Sequence, residues 1–248
     1  MLKRAYILLL TLLLLPCAPA QEAPVEDEPT IHDMPQWLLD FSNLTREERE
    51  AYLTTFNKAK QAYQRGEWVA CYGYLADCEM IFNGNPNVWN LSASCLIEQK
   101  YFDEAAVQLE KVLKVMPNDS VAVMNQANLY MATERYAESI AVIDRLLLEL
   151  PPDTPSELTD VLTYRKVLAL VLLDKTSEAK KLVAHLNAFS DTPLYYYSQA
   201  AFYLAEDKKV EAARSLRSVG KIFAKSASLA SYQRALELSR LAVTDSPR

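Results

Sequence analysis

Residues 86–119 read PNVWNLSASCLIEQKYFDEAAVQLEKVLKVMPND, and residues 120–153 read SVAVMNQANLYMATERYAESIAVIDRLLLELPPD. The two stretches are equal in length and adjoin without a gap. Counted from the start of each, position eight is Ala93 and Ala127, and position seventeen is Phe102 and Tyr136. Position twenty is Ala105 and Ser139, and position thirty-two is Pro117 and Pro151. YFDEA at 101–105 returns as RYAES at 135–139 in the same register. A fixed period of this kind marks a unit that buries its apolar face only by stacking on its neighbour. Val107, Leu109, Val112, Leu113 and Met116 follow a helical spacing, so the unit is helical. Two helices per unit would cross at positions eight and twenty, where a small side chain lets the backbones approach.

The frame extends in both directions. One period earlier, a unit from Tyr52 has Ala59 at eight, Trp68 at seventeen and Cys71 at twenty. After residue 153 the frame slips by about six residues. A unit from Asp160 then has Val167 and Ala179 at the two crossing positions, and one from Pro193 has Ala200 and Ala212. The ten crossing positions are all small or medium. Helix punctuation agrees. Thr45-Arg46-Glu47-Glu48 is a capping box. Thr154-Pro155-Ser156-Glu157 combines a cap, a Pro at the first helical position and a capping-box Glu, and Thr192-Pro193 repeats the Thr-Pro pair. Ala227 to Val243 reads as the terminal helix that keeps the open end of a stack soluble. Trp37, Leu38 and Phe41 suit a short element closing the other end.

The pattern resembles the tetratricopeptide repeat family, closely over 86–153 and more loosely over about 52–225. The resemblance implies an all-α, right-handed solenoid of about five antiparallel helix pairs plus a C-terminal capping helix, spanning 37–248. It also implies that positions two, five, six, nine, twelve and thirteen line a concave groove for a protein or extended peptide. Those positions give Phe56, Asn57, Lys60 and Tyr63 in the first unit, and Asn87, Asn90, Leu91 and Ser94 in the second. The third gives Met124, Asn125, Asn128 and Met131. The last two give Tyr164, Arg165, Leu168, Leu194, Tyr197 and Ser198. Asn57, Asn90, Met124, Asn125, Asn128, Tyr164, Arg165 and Tyr197 are the candidate peptide-binding set. Amides offer a peptide backbone both donors and acceptors, and Met and Tyr offer adaptable apolar contact. Some relatives clamp a C-terminal carboxylate. Only Asn125 and Arg165 of the five clamp positions match, so that capture is not expected.

The N-terminus belongs to export rather than to the fold. Lys3 and Arg4 precede an apolar run from Tyr6 to Leu15, and Ala18-Pro19-Ala20 is a cleavage signal. Cleavage after Ala20 and a periplasmic or secreted protein are expected. Pro16 makes the flank a poor match for lipid attachment at Cys17. Residues 21–36 form an acidic, Pro-rich leader poor in large apolar groups, and read as disordered. The net charge of −6 and the absence of a basic stripe argue against nucleic acid. No stable membrane span is expected after cleavage.

No catalytic constellation is present. The chain has 2 His, His32 in the leader and His185 in a helical pattern among Leu182, Val183 and Leu186. There is no H-E-x-x-H, C-x-x-C, Walker or G-x-G-x-x-G motif. Neither cofactor nor metal is expected, and the chain reads as a non-catalytic scaffold. The alternatives are a homo-oligomeric envelope assembly factor with its groove unused and, in a different class, an envelope enzyme or carbohydrate-binding protein. Cys71, Cys78 and Cys95 remain after cleavage. Antiparallel helices could bring Cys71 to Cys95, or all three could be small buried apolar residues.

Overall fold

The computed structural model describes residues 34–241. The expected signal peptide, Cys17, His32 and most of the acidic leader lie outside these residues. Twelve helices, and no strand, make up the described residues. They are α1 (Gln36–Ser42), α2 (Arg46–Gln64), α3 (Trp68–Ile81), α4 (Pro86–Glu98), α5 (Phe102–Val115) and α6 (Ser120–Ala132). Then follow α7 (Tyr136–Glu149), α8 (Ser156–Leu172), α9 (Thr176–Leu182), α10 (Leu194–Ala205), α11 (Lys209–Ile222) and α12 (Leu229–Leu238).

Helices α2 to α11 pack as five successive hairpins, and each hairpin packs on the next. All ten crossing positions, from Ala59 and Cys71 to Ala200 and Ala212, are 0% exposed. A larger side chain at any of them would push two backbones apart in an interior packed like an organic crystal. Ser139 is the polar member of the set, and its hydroxyl donates to the carbonyl of Ala127 across the crossing, at 3.1 Å. The aromatic residue at position seventeen opens the second helix in the first three pairs, as Trp68, Phe102 and Tyr136.

The turn inside each hairpin repeats as strictly as the crossings. Gly66, Lys100, Glu134, Asp174 and Asp207 all have positive φ, between 56° and 73°. Each is position fifteen of its unit. In every case the next residue's N–H returns to a carbonyl five residues back, as in Tyr101 to Leu96 at 2.9 Å and Arg135 to Tyr130 at 2.8 Å. This is the Schellman ending, in which a left-handed residue lets the last carbonyls of a helix be satisfied. Four of the five chains through that turn use a residue with a Cβ, a conformation that costs about 1 kcal/mol or more relative to the right-handed one.

Thr45 caps α2 with the complete capping box. The device expected at Thr154 is absent: α8 starts at Ser156 behind Pro155, without a side-chain cap. Thr192 instead accepts from Leu194 N at 3.2 Å and donates to Asp160 at 2.5 Å, tying the start of α10 to α8. The slip in the frame after 153 is the connection Leu150–Pro155. Helix α9 is shorter than the sequence pattern implies. It ends at Leu182, so His185 sits exposed in a turn and not in a helix. Local bonds take over there, Asn187 N–H donating to Ser190 Oγ and Phe189 N–H to Asn187 Oδ1, the competition by which Asn and Ser leave helices. At the other end, α1 puts Phe41 against Tyr52 (5.0 Å between rings) and Phe82 (5.5 Å), closing the N-terminal pair as expected.

Candidate functional site

The first helices of the pairs form one layer. Helix α4 packs on α2 and α6, and α8 packs on α10, while the second helices stand behind them. The free face of this layer carries a row of buried polar side chains. Asn125 Nδ2 on α6 donates to Asn90 Oδ1 on α4 at 2.7 Å. Arg165 Nε on α8 donates to Asn128 Oδ1 on α6 at 2.9 Å, and its Nη1 donates to the Val161 carbonyl at 3.3 Å. Each rung joins one pair to the next. Arg165 is 2% exposed and is held by an amide and a carbonyl, not a carboxylate. Burial therefore pulls its pKa down to about 10.

The C-terminal helix lies on this same face. The expected terminal helix is present as α12, and it covers Tyr197 of the last pair, with the Tyr197 and Tyr232 rings stacked at 4.9 Å. It then runs back over the layer, packing on α8 and α6. Tyr232 also meets Tyr164 at 5.2 Å. Further along, Arg234 pairs with Glu98 at the end of α4, and its guanidinium lies 5.7 Å from the Tyr63 ring on α2. Arg240 reaches Glu134 at 2.7 Å. Leu238 packs on the cluster holding Ala93, Ile97 and Leu129.

Between α12 and the layer a cleft of about 560 Å³ stays open. Phe56, Lys60 and Tyr63 of α2 form one wall. Asn87, Asn90, Leu91 and Ser94 of α4, with Met124, Asn125 and Asn128 of α6, form the floor. Arg165, and Ala230, Ser231 and Arg234 of α12, complete the lining. Three cationic side chains (Lys60, Arg165 and Arg234) face it against one carboxylate, Asp119. A second cavity, about 700 Å³, opens at the start of α12, between the N-terminal turns of α8 and the segment joining α11 to α12.

Five of the eight residues picked from the repeat positions therefore meet at one place: Asn90, Met124, Asn125, Asn128 and Arg165. Tyr164 and Tyr197 lie on the same layer but beneath Tyr232, at 0% and 7% exposure. Asn57 is exposed on α2, outside the residues that line the cleft. The α12 side of the cleft was not anticipated. Its amphipathic spacing was visible, but nothing in the repeat frame says which surface a terminal helix will cover. Among the described residues, no group of three or more His, Cys, Asp or Glu side chains could hold a metal ion, and no helix is long and apolar enough to cross a membrane.

Residues 96–156 match the tetratricopeptide repeat family. The crystal structure of the P58(IPK) TPR domain is similar at 14% identity, with a TM-score of 0.36, covering 78% of this chain. The chain spans 66% of that domain's length, just under two thirds. No match is found among curated proteins.

Proposed function

We propose that this chain is an exported, non-catalytic scaffold that holds an extended segment of a partner protein in the cleft between α2, α4, α6 and α12. The observation that carries the reading is the floor of that cleft. Asn90, Asn125 and Asn128 present amide groups along successive first helices, and Leu91 and Met124 supply apolar contact beside them. Such a surface suits a chain whose own backbone groups need partners. The tetratricopeptide match over 96–156 supports interaction with protein rather than chemistry on a small molecule. Export rests on the charged, apolar and A-x-A succession of residues 1–20.

Co-precipitation from the native envelope tests the reading. Leu91 is half-buried in the floor, and Leu91→Glu puts a charge there without touching the Asn and Arg rungs. A partner held in the cleft is lost from the variant while its helical circular dichroism stays unchanged. Recovery of every partner by the variant contradicts the proposal.

One observation favours a second reading. Helix α12 already covers part of the first-helix layer, so the working surface could lie elsewhere and join copies of the chain. Sedimentation separates the two. A monomer at micromolar concentration fits the scaffold, whereas a stable oligomer unaffected by Leu91→Glu fits an assembly factor.

A further inference from the structure

Three cysteines lie in one buried cluster at the junction of the first two helix pairs, with Tyr52, Ala59, Leu75 and Val88. Cys71 is on α3 and Cys95 on α4, the two helices that meet where one pair stacks on the next. Their sulfurs are 3.0 Å apart, with the Cys95 thiol directed at Cys71. A disulfide bond is about 2.05 Å long, so closing it takes roughly 1 Å of sulfur movement. Cys78 lies two turns further along the same face of α3, about 10 Å along its axis, and approaches the Tyr52 carbonyl at 3.9 Å. The structure thus distinguishes a pair from a single thiol.

We propose that Cys71 and Cys95 form a disulfide that staples the N-terminal hairpin α2–α3 to α4, with Cys78 remaining a thiol. The oxidant is a dithiol–disulfide exchange partner, protein or small molecule. The Cys71 thiolate attacks one sulfur of that disulfide, making a mixed disulfide and releasing one thiolate. Cys95 loses its proton and attacks the Cys71 sulfur, the Cys71–Cys95 bond forms, and the second thiolate leaves. The two protons lost by the cysteines end on the two thiols of the reduced oxidant, so one disulfide is consumed for each one made. Burial, aided by the carboxylates of Asp77 and Glu79, pushes Cys78 up to about 11, so it stays protonated. Both paired sulfurs are 0% exposed. Exchange therefore takes place before α4 docks, or when the end hairpin swings away from it. Terminal repeats of a stack are held from one side only, so the junction gains most from a covalent link.

The consequence reaches the cleft. Helix α2 carries Phe56, Lys60 and Tyr63, one wall of the opening, and its hairpin is the part the link would fix. This inference does not depend on the cleft having a partner.

The test is peptide mapping of the full chain after equilibration in a glutathione buffer poised near −180 mV, a value typical of oxidising compartments. The protein is denatured in alkylating reagent without reductant. Trypsin leaves all three cysteines in residues 66–100, since no Lys or Arg lies between Arg65 and Lys100. Chymotrypsin, cutting at Tyr72, Tyr74, Phe82 and Trp89, separates them. The expected result is one linked pair of peptides containing Cys71 and Cys95, with Cys78 alkylated. Reduction then lowers Tm by roughly 5 °C or more, as for a link closing a loop of this size. A Cys71→Ala/Cys95→Ala variant has a Tm that reductant does not move. Alkylation of all three cysteines without reductant, or a link that includes Cys78, overturns the proposal.

Discussion

Position fifteen of each unit shows how a single residue sets the geometry of a hairpin. Gly66, Lys100, Glu134, Asp174 and Asp207 all hold positive φ, and glycine meets that requirement without strain. Lys100→Gly should therefore raise stability by about 0.5–1 kcal/mol in urea unfolding, net of the extra freedom glycine gives the unfolded chain. A fall in stability would show that Lys100 makes contacts worth more than its backbone strain. Buried tyrosines set a different residue-scale expectation. Desolvation raises the pKa of Tyr52, Tyr164 and Tyr232 above the ordinary value near 10. Above that pH the folded state keeps protons that the unfolded state loses. Their contribution is thus complete below pH 10 and is lost as pH rises further. Arg165, pulled down to about 10, works in the opposite direction, but it is one group against three. Helicity followed by circular dichroism should collapse at alkaline pH, and Tyr232→Phe should shift the midpoint upward.

Among the elements, α12 departs furthest from the role its pattern suggested. Its contacts with Tyr164, Tyr197 and Glu98 place it on the first-helix layer. Tyr232→Ala removes the ring that Tyr197 stacks on and Tyr164 meets at a tilt, and should cost about 3–5 kcal/mol. Hydrogen exchange in this variant should rise in α12, α8 and α6 while α3 keeps its protection; an increase confined to α12 would mean that the tyrosines support nothing beyond their own helix. Ala93 and Ala127 were legible because sterics at a helix crossing leave little choice of residue, and such constraints recur with the period. The turn at position fifteen was not, because Gly66 is its one glycine, and Lys100 and Glu134 carry no compositional mark of a left-handed conformation. The docking of α12 was not legible because an amphipathic face specifies that a helix will bury one side, not against what. Asn90, Asn125, Asn128 and Arg165 were found through the repeat positions. Their bonding to one another was not, since hydrogen-bond partners on different helices leave no spacing signal.

For the whole molecule, five hairpins stacked in one direction create a layer long enough to receive an extended chain, and the Asn and Arg rungs bind that layer from α4 to α8. The terminal helix converts an open face into a cleft lined by α2, α4, α6 and α12. In the proposed function this cleft, and not the layer of second helices behind it, meets the partner. Site-directed photo-cross-linking distinguishes the two faces. A photoreactive residue is placed at Lys60 in the cleft wall, or at Leu148, which is 87% exposed on α7. The expected result is a discrete adduct with a protein partner from position 60, abolished by Leu91→Glu, and none from position 148. The same adduct from position 148, with none from position 60, would contradict it.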